Sequence, residues 1–103
     1  MNPLFEKLTS VRTAVPNRVC FMAHRTNFGR QSRLNDRHIA YYQRRAQGGC
    51  GLITVGELSI TPNDQPYETM IAVYGPDALD DFRKLTQAVH NFDTLVFAQL
   101  GHH

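Results

Sequence analysis

The sequence has few cysteines, and their spacing excludes two classes of site. Cys20 and Cys50 lie thirty positions apart, with no CxxC pair and no histidine at ligand spacing. This pattern argues against a disulfide scaffold and against a zinc site. It favours two small buried hydrophobic residues, and no metal site is expected.

The chain also lacks an excess of one charge and a long apolar run. The net charge is +2, and basic residues alternate with acidic ones, so neither nucleic acid nor an anionic membrane is expected as a partner. No apolar run is long enough to cross a bilayer, and the N-terminus lacks the basic-then-apolar pattern of a signal peptide. We therefore expect a cytoplasmic protein.

What the chain does contain is typical of one small globular domain. It has 103 residues, of which 42% are hydrophobic and 19% charged. Apolar runs at residues 18–23, 50–60 and 94–100 predict three strands, and their nearly continuous apolar character is typical of strands buried on both faces. Residues 1–16 are predicted to form a lead-in turn or hairpin, and residues 17–103 the βαβαβ units.

Two helices are predicted between these strands. The first has Asn35 or Asp36 as its N-cap and ends at Gly48-Gly49. The second begins near Pro76-Asp77. Residues at core spacing are Ile39, Tyr42 and Ala46 in the first helix, and Leu79, Phe82, Leu85 and Val89 in the second. His90 is expected to pack against the sheet.

The alternation of strands and helices predicts adjacent parallel strands. Each crossover is long enough for a right-handed βαβ unit. Residues 24–29 read HRTNFG instead of the G-x-G-x-x-G that follows the first strand of a dinucleotide-binding domain. An open sheet and part of a barrel both remain compatible with the alternation.

Four segments carry a resemblance to a known family: LFEKL, NRV, YYQRRAQGGCGLIT and VFAQLGHH. They resemble the N-terminal third of the old-yellow-enzyme-like flavin oxidoreductases. FMAHRTNF and TPNDQPYE look closest to the mycofactocin-associated branch, near 2,4-dienoyl-CoA reductase. The resemblance covers essentially the whole chain. It implies an α/β fold: an incomplete (β/α)8 TIM barrel comprising the first three parallel strands and two helices.

The resemblance also implies an activity. FMN would lie at the carboxyl ends of the strands, taking a hydride from NAD(P)H and passing it to an activated C=C bond or a related acceptor. The partner would be a small-molecule substrate, and the full-length parent could be a homo-oligomer. Three strands cannot close a barrel, so we expect an inactive N-terminal fragment. An iron–sulfur cluster and FAD would belong only to missing C-terminal parts.

The turn after the first strand matches the family's flavin-contacting turn, namely Ala23, His24, Arg25 and Thr26. The resemblance implies a hydrogen bond from the Thr26 hydroxyl to the O4/N5 edge of the flavin, with capping of the following loop as the alternative. Arg25 stands where the family usually has an apolar residue, and would face either the ring or solvent. His24 is expected to contribute its backbone.

The resemblance implies further contacts at the ends of strands two and three. Glu57 is expected to turn away from the ring, with an arginine pair as its alternative role, and Gly56 would give the backbone freedom to allow this. The Gln99 carboxamide would bind the pyrimidine edge, the alternative being a structural glutamine. His102 would lie behind these contacts at the barrel mouth. Catalytic residues are not assigned.

A second function remains open on the sequence alone. A short, non-catalytic α/β module could pair its open sheet edge with a partner protein. Tyr41 and Tyr42 are expected to pack the first helix against the barrel instead of donating protons.

Overall fold

The N-terminal segment forms a lead-in ahead of the main sheet. The computed structural model describes residues 2–10 and 12–103. A 3-10 turn at Pro3–Phe5 precedes two short antiparallel strands, β1 (Leu8–Thr9) and β2 (Ala14–Val15). The chain then enters the sheet through β3 (Cys20–Phe21).

The main sheet has four parallel strands arranged around β4 (Leu52–Ser59). β3 pairs with the start of β4, and the short β5 (Ile71–Ala72) pairs with its end along the same edge. β6 (Leu95–Gly101) pairs along the opposite edge. The predicted parallel order of the three main strands is confirmed. β5 was not predicted, because two residues in a polar loop carry no strand periodicity.

The first helix, α1 (Asp36–Gln47), has the predicted ends. The Asn35 side chain accepts a hydrogen bond from the Arg37 amide at 3.0 Å, and the Asn35 amide donates to Nδ1 of His38 at 3.0 Å. Both bonds satisfy amides that the helix itself leaves without partners. The helix ends at Gly48.

The second helix, α2 (Ala78–His90), buries the predicted face except at Leu79. Leu79 is 68% exposed, and the predicted core role for it is wrong. Asp81 lies on the buried face instead, because Arg33 reaches it with two hydrogen bonds of 2.9 Å. Leu85 and Val89 lie in the core as predicted, and Phe82 packs against it. His90 is exposed, which corrects the expectation that it packs against the sheet.

The sheet is covered by the helices on one face only. Ile53, Val55 and Leu58 of β4 are fully buried against that layer. Met22 and Phe97, which alternate onto the opposite face, are 71% and 55% exposed. The apolar composition of the strands suits burial on both faces, and the exposure of one face in the described residues is as expected for three strands that cannot close a barrel.

Candidate functional site

The residues predicted to contact a flavin lie at the carboxyl ends of the parallel strands. Arg25 and Thr26 follow β3, Glu57 lies in the second half of β4, and Gln99 lies in β6. Arg25, Thr26 and Glu57 line one small cleft together with Tyr67 from the loop after β4. The fold thus brings together residues that are far apart in sequence.

An irregularity between β4 and β6 shapes this region. The register shifts between Val55 and Leu58, so that Gly56 and Glu57 stand opposite the single residue Gln99. The Gly56–Glu57 peptide is cis. An extra residue on one strand is a β-bulge, which redirects side chains and is frequent beside active sites.

The Gln99 side chain lies directly against Gly56. A Cβ placed on Gly56 would be 2.6 Å from the Gln99 Cβ and 2.9 Å from its Oε1, closer than real contacts allow. Gln99 itself is exposed, and across residues 2–10 and 12–103 its carboxamide has no hydrogen bond to another protein group. The missing side chain of Gly56 therefore makes room for an amide whose donor and acceptor remain available to a ligand.

The Glu57 side chain lies across Gly101 at the end of β6. Its Oε2 is 2.6 Å from the position that a Cβ on Gly101 would take. Its Oε1 lies 3.2 Å from Nε2 of His103 and accepts a hydrogen bond of 3.5 Å from the Tyr67 hydroxyl. The polar partners of Glu57 are thus a histidine and a tyrosine, where the alternative drawn from the sequence was an arginine.

The Arg25 side chain packs onto the ring of Tyr67. Its guanidinium carbon lies 4.1 Å from the centre of the Tyr67 ring, a cation–π geometry. Burial and the neighbouring Glu57 carboxylate raise the pKa of Tyr67, and the Arg25 charge opposes this in part. The phenol therefore stays protonated and able to donate near neutral pH.

The rest of the turn after β3 makes contacts within the protein. Thr26 Oγ1 accepts from the Phe28 amide at 3.4 Å, which is the capping contact of the alternative role. The His24 Nε2 atom and the Tyr41 hydroxyl are 2.6 Å apart, so the imidazole joins this turn to α1. Ala23 is half-buried.

Two residues that the sequence did not single out, Asp64 and His103, complete the region. Oδ2 of Asp64 accepts from the His103 amide at 3.0 Å and lies 3.2 Å from its Nδ1. Burial by itself raises the pKa of Asp64, but the hydrogen bonds from His103 outweigh it and hold the pKa below its usual range. His102, which the resemblance placed behind the flavin contacts, is exposed, and the His103 side chain is 45% exposed. An acid in a loop between two prolines has no local signature that would reveal this contact.

Two other classes of site are absent from the described residues. No group of three His, Cys, Asp or Glu side chains is placed to hold a metal ion. Neither helix in this part of the chain is long and apolar enough to cross a membrane.

A comparison with known families places the chain in one of them. Residues 3–103 match the model of the NADH:flavin oxidoreductase / NADH oxidase family. The chain belongs to this family. Its four-stranded sheet with two helices has the fold of part of an old-yellow-enzyme-type TIM barrel.

Individual relatives are distant, and all are much longer than the chain. An NADPH dehydrogenase of Bacillus pumilus is 25% identical over 96% of this chain and 30% of its own length. Morphinone reductase in complex with tetrahydroNAD has 24% identity and a TM-score of 0.89, over 99% of this chain and 28% of its own. The old yellow enzyme from Trypanosoma cruzi has 27% identity and a TM-score of 0.82, over 97% and 27%. The chain spans 15–30% of the length of the curated relatives that it matches.

Proposed function

We propose that the longer protein carrying this sequence is an FMN-dependent oxidoreductase. It would take a hydride from NAD(P)H and transfer it to an activated C=C bond or a related acceptor of a small-molecule substrate. The observation that carries the proposal is the exposed Gln99 carboxamide lying on Gly56 at the carboxyl ends of the strands. In parallel α/β barrels this end holds the active site.

The residues present fit a flavin. The Gln99 carboxamide offers a donor and an acceptor to the pyrimidine edge of the ring, and the Thr26 hydroxyl offers one donor to the O4/N5 edge. Ala23, His24 and Arg25 would contact the ring from the same turn, while His102 would stand behind these contacts. FMN supplies the hydride chemistry, and the protein orients the ring and tunes its electronics.

The finer points of the proposal rest on resemblance. The segments FMAHRTNF and TPNDQPYE resemble the mycofactocin-associated branch, near 2,4-dienoyl-CoA reductase. The names of two relatives, an NADPH dehydrogenase and a tetrahydroNAD complex, support a nicotinamide donor. We further propose a cytoplasmic protein, with an iron–sulfur cluster and FAD only in C-terminal parts, and homo-oligomers of the full-length parent.

The chain alone is proposed to be inactive. Within the described residues β6 pairs only with β4, so its other edge is open, and Phe97 and Leu100 on it are 55% and 60% exposed. Both features are expected of a strand whose neighbours in the barrel lie outside this sequence. The same open edge favours a second candidate function, a module that adds a partner's strand to β6. That function would need no flavin.

FMN retention distinguishes the two candidates. The 103-residue chain and the product of the gene read beyond codon 103 are purified, and bound FMN is measured after gel filtration. We expect stoichiometric FMN on the longer protein and little on the chain, because the chain supplies only part of the ring contacts. A longer protein without FMN, or a gene that stops after codon 103, would exclude the oxidoreductase and favour the interaction module.

A further inference from the structure

His103 lies between two carboxylates. Its Nε2 is 3.2 Å from Oε1 of Glu57, and its Nδ1 is 3.2 Å from Oδ2 of Asp64. The imidazole ring therefore spans the gap between the two carboxylates. Asp64 is a fixed anchor: its side chain is 8% exposed, and its carbonyl accepts at 2.7 Å from the Ser59 hydroxyl in β4.

The second carboxylate, that of Glu57, has a defined resting place. Its Oε2 packs against the Cα of Gly101. Its Oε1 lies close to Nε2 of His103 and accepts a hydrogen bond from the Tyr67 hydroxyl. Gln99, which stands opposite Glu57 at the bulge, lies instead on Gly56. The side chains of Gln99 and Glu57 therefore pack against different glycines, Gly56 on β4 and Gly101 on β6.

We propose that His103 is a positioning residue: anchored by Asp64, it holds the Glu57 carboxylate on Gly101 and keeps that negative charge away from the flavin edge bound by Gln99. The electrostatic part of this proposal rests on the proposed function. A carboxylate released toward the ring would disfavour the negative charge that arrives on reduction. The positioning itself is a property of the chain and needs no cofactor.

The position of Glu57 is tested first in the chain without FMN. Contacts between the Glu57 side-chain protons and the Gly101 α-protons are measured by nuclear Overhauser effects. We expect them in the wild type and in the control His102→Ala, and we expect their loss in His103→Ala. Their persistence in His103→Ala would overturn the proposal, since Gly101 alone would then hold the carboxylate. His103→Gln, which keeps one donor, should retain part of the contact.

The effect on the flavin is tested in the longer protein. We expect His103→Ala to weaken the binding of reduced FMN, relative to oxidised FMN, by about tenfold, which lowers a two-electron potential by about 30 mV. Adding Glu57→Gln should restore the potential, because no charge remains to approach the ring. A shift that persists in the double variant would contradict the proposal. If the longer protein binds no FMN, the proposed function fails, while the proton contacts still decide the positioning role.

Discussion

The two ends of the parallel sheet are built from different kinds of contact. At the amino ends, side chains bond to backbone: Asn17 donates to the Gly49 carbonyl at 2.8 Å, and Thr94 donates to the Cys50 carbonyl at 2.7 Å. At the carboxyl ends, a bulge and two glycines make room for the side chains of Gln99 and Glu57. The contacts at the amino ends stabilise the fold, whereas those at the carboxyl ends leave polar groups available to a ligand. This is the division expected between the stability face and the active face of a barrel.

The largest expected effect concerns the carboxyl end. Gln99→Leu in the FMN-binding protein removes hydrogen bonds of about 1 kcal/mol each and leaves flavin groups unpaired at a cost of about 1–3 kcal/mol. The FMN dissociation constant should rise roughly ten- to a thousandfold. Apoprotein stability should hardly change, because the side chain is exposed. Calorimetric titration with FMN and thermal unfolding of the apoprotein measure the two quantities.

Thr94→Val is the matched control at the amino end. It removes the buried bond to Cys50 and should lower the free energy of unfolding by about 1 kcal/mol, with FMN affinity retained. If Gln99→Leu lowers stability and leaves FMN affinity intact, Gln99 is a structural glutamine and the contrast between the two ends is lost.

The second prediction concerns His38, a structural residue near the carboxyl ends of the strands that lies outside the candidate site. Burial, and to a lesser extent the Arg37 charge, lower the pKa of His38 to about 4. The pKa of His38 in the folded protein lies below its unfolded value of about 6.5. The stability that depends on neutral His38 is therefore fully present above about pH 6.5. Stability should fall by roughly 2–3 kcal/mol as the pH drops from 6.5 to 4.

Urea unfolding across this pH range tests the role of His38. His38→Asn keeps an acceptor for the Asn35 amide but cannot titrate, so the loss of stability should disappear in this variant. The exposed His90 provides the control, and His90→Asn should keep the loss. If stability falls equally with pH in the wild type and in both variants, a group other than His38 causes the fall.

The third prediction compares one glycine at each end. A Cβ on Gly51 would lie 2.7 Å from the Asn17 carbonyl oxygen, so Gly51→Ala must displace backbone and should cost about 1–3 kcal/mol of stability. A Cβ on Gly56 would lie 2.6 Å from the Gln99 Cβ and 3.0 Å from the Gln99 carbonyl oxygen, so Gly56→Ala should also displace backbone. It should in addition weaken FMN binding, which Gly51→Ala should leave unchanged. Melting temperatures and FMN dissociation constants of both variants check this. Equal losses of stability without a difference in FMN affinity would count against a functional cradle at Gly56.

The helix predictions show where local patterns suffice and where they do not. The ends of α1 follow from Asn35 and Gly48, because capping depends on residues within one turn. Most of the buried face of α2 follows from its apolar spacing, since Phe82, Leu85 and Val89 pack at the core. The spacing does not predict that Leu79 is exposed, nor that Asp81 is buried beside Arg33, which lies 48 positions earlier in the chain.

The candidate site likewise has features that the sequence predicts and features that it does not. The sequence by itself determined the parallel order of the strands and the family, because apolar runs, crossover lengths and spaced motifs are properties of the chain. Only the tertiary structure decided that Glu57 meets His103 and that Gln99 lies on Gly56. Those contacts join residues more than forty positions apart across a β-bulge, and a bulge depends on how two strands pair and not on the residues of either strand alone.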